Sequence, residues 1–198
     1  MPNEELKWRD VEKTVVRLWN EGALDRGVEE LDKYIAMPPR EKTFLREALA
    51  YRGMLAQEQD DIATALSFLT KAHALSEPNT YSTYALRLSL SKVCEEMGDD
   101  RQSLSWIRSA LETVLNADGI SGGQALVQFL NTKGEENLDE NERRLCDQVI
   151  RKSWTTLRQS GEPDVVNLTK TAVRLVELGS RSLPSGGAGD PRDRTPER

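Results

Sequence analysis

Apolar residues recur along most of the chain at the spacing of one face of an α-helix. Trp8, Val11, Val15 and Leu18 step by three and four positions, with charged residues between them, which predicts a helix from Trp8 to about Glu21. The pattern breaks at Asn20-Glu21-Gly22 and resumes from Leu24 to Ile35, so the two segments form an expected helical hairpin.

The same layout returns 38 residues later, and again 38 after that. Gly22 is followed by Asp60 and Gly98, Gly27 by Ala65 and Ser103, Leu31 by Leu69 and Ile107, and Tyr34 by Ala72 and Ala110. No insertion is needed to hold the register over three units. Each residue type has a physical role. A tight turn between antiparallel helices favours Gly or Asp, which tolerate its backbone and can cap the following helix. A small residue one turn into the second helix lets the pair approach closely, and the aliphatic residue four positions on shares its face. The expectation is an all-α stack of helix pairs, with Ala65 and Ala110 at close contacts.

The order turn-Gly/Asp, small, large apolar, small resembles the tetratricopeptide repeat (TPR). The second unit carries it best, in Gly53, Ala56, Asp61-Ile62, Ala65, Leu69, Ala72, Leu75 and Pro78. The third follows with Leu90, Gly98-Asp99, Ser103, Ile107, Ala110 and Leu111, and the first with Val11, Val15, Leu18, Gly22, Leu24, Gly27, Leu31, Tyr34 and Pro39. The resemblance covers residues 8–116 and implies a TPR-like α-solenoid with repeats at 8–39, 44–78 and 82–116. The period exceeds the family's usual ~34 residues, which predicts longer helix ends or longer turns near 37–42 and 76–81.

Beyond the third unit, Asn116–Gly123 is a break rich in Gly and Asp. Residues 123–160 read as a divergent fourth helical pair: a short helix over Gln124–Thr132, then a longer one over Leu138–Gln159 carrying Leu145, Val149, Ile150, Trp154 and Leu157, with Asn137 or Asp139 as its cap. Gly161-Glu162-Pro163 ends it. Residues 164–178 read as a capping helix, so the helical domain spans 8–178. The apolar residues of this last helix spread over a wide arc, which also suits covering a partner surface, and self-association through it to a homodimer is a further alternative. Residues 179–198, rich in Gly, Pro, Ser and charge, read as a flexible tail.

Composition narrows the function classes. The chain of 198 residues carries a net charge of −6, which disfavours nucleic acid as a partner. Mean hydropathy is −0.60, with no apolar stretch of transmembrane length and no leader-like start, so the expectation is a cytoplasmic protein without a membrane partner. Two cysteines, Cys94 and Cys146, make no disulfide framework. The sole histidine, His73, takes the place of Ile35 and Leu111 in the sister units, and no second His or Cys stands at metal-ligand spacing. The pairs Asp60-Asp61 and Asp99-Asp100 occupy turns, where capping explains them. Phosphate loops and nucleophile signatures are absent. The expectation is a non-enzymatic chain with no cofactor and no metal.

The resemblance implies a concave groove lined by the first helix of each pair. Carried over in register, the binding positions are Arg9, Glu12, Val16, Trp19 and Asn20 in the first unit, Glu47, Tyr51, Met54, Gln57 and Glu58 in the second, and Ala85, Leu88, Lys92, Glu95 and Glu96 in the third. Such a surface suits a protein or peptide partner presenting Lys or Arg beside an apolar residue. The basic and Asn clamp that some members use for chaperone C-termini is missing at the matching Glu12, Val16, Tyr51, Ala85 and Ser89. The leading reading is an adaptor or assembly module; the alternatives are a peptide-sensing regulator and a self-associating structural subunit.

Overall fold

A computed structural model describes residues 2–37 and 41–160. The expected capping helix at 164–178, the tail and the dimer contact assigned to that helix lie outside the described residues. The described chain forms α1 (Pro2–Asn20), α2 (Leu24–Ala36), α3 (Lys42–Glu58), α4 (Ile62–Ala74), α5 (Tyr81–Glu96), α6 (Asp100–Asn116), α7 (Gly123–Lys133), a short 3-10 turn (Glu135–Asn137) and α8 (Glu140–Ser160). No strand occurs among the described residues.

The pairs α1/α2, α3/α4 and α5/α6 pack as hairpins, each second helix also packs on the next first helix, and α1, α3 and α5 touch in succession. This is an α-solenoid. Among the described residues the apolar interior forms three stacked clusters. Trp8, Val15, Leu31, Tyr34 and Leu55 anchor the first, Ala65, Leu69, Leu90 and Val93 the second, and Ile107, Leu111, Phe129 and Val149 the third. The aliphatic repeat positions Leu31, Leu69 and Ile107 are all fully buried, as are Ala65 and Ala110.

The turns repeat with the sequence. Gly22, Asp60 and Gly98 all hold a left-handed backbone, at φ 72°, 59° and 75°. In each turn that residue's N–H donates three residues back (to the Trp19, Gln57 and Glu95 carbonyls), while the next residue's N–H donates five back (to Leu18, Ala56 and Cys94). This double bond pattern closes a helix with a Schellman motif. The following carboxylates then cap the next helix: Asp61 accepts from the Thr64 N–H and Asp99 from the Gln102 N–H.

The first helix is longer than expected. α1 begins at Pro2, six residues ahead of the apolar pattern, because proline is favoured at a first helical position and the acidic residues after it suit a helix N-terminus. At the other end, α7 and α8 each pack more closely on α6 than on one another. The start of α8 is a reciprocal cap: Asp139 accepts from the Glu142 N–H at 2.8 Å and Glu142 accepts from the Asp139 N–H at 3.0 Å, the capping-box arrangement. Glu142, only 3% exposed, also binds Arg108 of α6 and Lys133 of α7, tying three helices together.

Candidate functional site

The first helices of successive pairs share one face of the solenoid, and polar side chains link them there. Trp8 Nε1 donates to Glu47 at 2.7 Å, Tyr51 Oη to Glu12 at 3.0 Å, and Gln57 Nε2 to Glu96 at 2.8 Å, each pair 39 residues apart. The step is therefore one residue longer than the repeat period, which reflects how neighbouring first helices are offset along their axes.

A cavity of about 660 Å³ opens beside these links. Trp8, Phe44, Ala50, Tyr51, Met54, Tyr81, Ala85 and Leu86 give it apolar and aromatic walls, and Glu5, Arg9, Glu12, Arg46 and Glu47 supply its charges. Arg46, largely buried, pairs with Glu47 at 3.1 Å. Burial first, and then the bond to Glu12, push the Tyr51 phenol up to about 12, so Tyr51 remains a neutral donor at physiological pH. A second cavity of about 520 Å³ continues along α5, sharing Tyr81, Ala85 and Ser89 with the first. Leu88, Lys92 and Glu95 line it from α5, and Gln124, Val127, Gln128, Asn131 and Thr132 from α7. The two form one groove across α1, α3, α5 and α7, apolar at one end and rich in amides and hydroxyls at the other. Pockets that combine apolar walls with a few placed polar groups are suited to ligands.

The expected site residues divide along this groove. Arg9, Glu12, Glu47, Tyr51 and Met54 come together in the first chamber, and Lys92 and Glu95 line the second. Val16 and Asn20 lie further along α1, in a shallow depression shared with Glu12, Lys13, Arg17 and Glu21. Trp19 and Glu58 stand outside both chambers: Trp19 is half-buried against the first core cluster, and Glu58 is exposed at the last position of α3. The sequence reading also missed lining residues. Trp8 read as core only, and it is core, yet it also lines the groove. The α7 positions were missed because they follow α5 by 39 residues (85 to 124, 88 to 127, 89 to 128), out of step with the 38-residue register.

Elsewhere the chemistry is subdued. Both thiols are buried and unpaired. Burial, with Glu142 nearby, pushes the Cys146 thiol up to about 12, and burial raises that of Cys94, so neither is a ready nucleophile. Among the described residues no three His, Cys, Asp or Glu side chains are grouped to hold a metal ion, and no helix is long and apolar enough to cross a membrane.

A repeated helical hairpin with a groove on its first helices defines a TPR-like α-solenoid, and solved structures agree. The chain matches a variant of a putative kinesin light chain with nearly identical TPR-like repeats from Podosopora anserina, at TM-score 0.64 and 14% identity over 88% of this chain and 87% of that one. It is also similar to the MamA RS-1 ArsTM double mutant (TM-score 0.54, 13% identity, 90% and 98% covered). A third match is BtubC (BKLC) from P. vanneervenii, at TM-score 0.52 and 11% identity, with 96% and 85% covered. At these identities the likeness shows the fold. No family model matches the sequence, and no curated protein matches it significantly.

Proposed function

We propose that this chain is a non-catalytic protein-interaction module that holds a peptide segment of a partner in the groove across α1, α3, α5 and α7. The observation that carries this reading is the continuity of the two chambers through Tyr81, Ala85 and Ser89. That continuity gives an extended peptide an apolar socket followed by side-chain donors and acceptors for its backbone. The charges favour one kind of sequence. Glu5, Glu12 and Glu47 outnumber Arg9 and Arg46 in the apolar chamber, and a partner Lys or Arg beside an apolar residue balances that excess. Arg9, Tyr51, Met54, Lys92 and Glu95 are the other side chains assigned to contact. Two unpaired buried thiols suit a reducing compartment such as the cytoplasm.

The test is selection from a random-peptide display library on the immobilised full chain, run beside an Ala85→Arg variant matched to it in melting temperature. Ala85 lines both chambers, so an arginine there obstructs the whole path. Enrichment of peptides with a basic residue next to an apolar one, lost on Ala85→Arg, supports the reading. Peptides retained equally by both proteins, or no enrichment on either, overturn it.

A further inference from the structure

The repeat register singles out one junction between helix pairs. At the α2–α3 junction Ile35 and Leu49 belong to one apolar cluster, and at the α6–α7 junction Leu111 and Ala125 belong to another. The equivalent pair at the α4–α5 junction is His73 and Arg87. A histidine and an arginine therefore replace an apolar contact, and the helix that carries Arg87, α5, also carries Ala85 and Leu86 of the groove.

The geometry commits His73 to its neutral form. Its Nε2 accepts a hydrogen bond from Arg87 Nε at 3.3 Å, which an imidazolium cannot do. Arg87 is fixed from behind by the Ser109 carbonyl at 2.8 Å and by the Thr113 hydroxyl. The Trp106 ring meets the His73 ring edge-on, with centroids 5.0 Å apart. Among the charged groups of the packed elements, Arg87 of α5 acts on His73 directly and Glu112 of α6 acts on Arg87. Arg52 of α3 and Lys71 of α4 both sit over the Phe68 ring.

We propose that the His73–Arg87 contact is an acid-sensitive latch that holds α5 against α4 while His73 is neutral and loosens the groove when His73 gains a proton. Protonation removes the acceptor at Nε2 and sets two cations side by side. Leu86, next to Arg87 in the chain, is a groove wall, so a shift of α5 reaches the binding surface directly. Burial, reinforced by the Arg87 charge, holds the His73 imidazole below its ordinary value. The sign follows from linkage. The unfolded chain binds this proton more readily than the folded one, so the contribution is fully present above the unfolded value of about 6.5 and is lost as pH falls through the folded value.

The loss of binding in acid rests on the groove reading, but the latch does not, and it is tested without a ligand. His73 is the only histidine in the chain, so its proton NMR titration is unambiguous. The expected midpoint in the full-length protein lies below about 6.5 and moves upward in Arg87→Gln. Hydrogen exchange in α4 and α5, corrected for the intrinsic pH effect, should quicken in acid by up to about tenfold per pH unit of depression. In His73→Gln, which keeps an acceptor but does not titrate, that acceleration should vanish. A midpoint at or above the ordinary value, or the same acceleration in His73→Gln, overturns the latch.

Discussion

Replacing Gly53 with alanine tests the close approach of α3 to α4 by the sign of its effect. Gly53 sits mid-helix in α3, where an ordinary Gly→Ala change stabilises by about 1 kcal/mol through helix propensity. Here a Cβ would stand 2.7 Å from Leu69 Cγ and 3.2 Å from the Ala65 carbonyl oxygen. Neither atom yields easily: Leu69 and Ala65 are fully buried, and the carbonyl is backbone. Overpacking of this kind costs about 1–3 kcal/mol. Setting the ~1 kcal/mol of propensity against it leaves a net destabilisation of about 1 kcal/mol. Urea denaturation followed by circular dichroism reads this as a lower midpoint at unchanged slope. A Gly53→Ala/Leu69→Ala double variant should destabilise less than the sum of the two single changes, because removing the leucine side chain frees room for the new methyl. A Gly53→Ala protein that is more stable than wild type would refute the packing of α3 on α4 at this point.

Four further outcomes are expected. Asp60→Gly should stabilise by about 0.5–1 kcal/mol, because a left-handed backbone costs a non-glycine residue about 1–2 kcal/mol and glycine's larger unfolded-state entropy offsets part of the gain; a loss of stability would contradict the turn geometry. Glu142→Ala should destabilise by roughly 2–4 kcal/mol, since it removes a capping-box partner and the anion that Arg108 and Lys133 share, and it should increase exchange at the start of α8 before the rest of the chain. The Tyr51 phenol should resist ionisation until about pH 12, so its contribution is present below the unfolded value of about 10 and is lost as pH rises to about 12. An alkaline absorbance titration of wild type against Tyr51→Phe measures this. Removing residues 179–198 should leave the thermal melt unchanged, and a large drop in melting temperature would show that this segment docks on the domain.

Much of this architecture was legible because it is local. Gly22, Asp60 and Gly98 recur at a fixed interval, and a left-handed turn needs those residue types whatever the rest of the chain does. The caps at Asp61, Asp99 and Asp139 follow from the same short-range chemistry. Leu31, Leu69 and Ile107 could be placed at the centre of each unit because helical periodicity alone brings them to one face. The start of α1 was less legible, since its first residues are polar and bear no periodic signal.

The groove was half legible. Arg9, Glu12, Glu47, Tyr51, Met54, Lys92 and Glu95 were found by carrying one register through three units. Trp8 and Trp19 mark the limit of that register. Both are aromatic residues on the apolar stripe of α1, yet Trp8 lines the groove while Trp19 packs against the first core cluster, a distinction set by how the helices meet. The α7 wall was hidden for a related reason: the offset of neighbouring first helices adds one residue to the repeat, a quantity set by packing.

What the sequence alone determined, among the described residues, is the helices, their turns and their order, because periodicity, capping and turn chemistry act within a few residues. What the tertiary structure decided is which side chains from separate units meet: Glu12 with Tyr51, Trp8 with Glu47, His73 with Arg87, and Glu142 with Arg108 and Lys133. Those meetings depend on helix offset and crossing angle, which arise from the fit of whole apolar faces and are written in no short stretch of the chain.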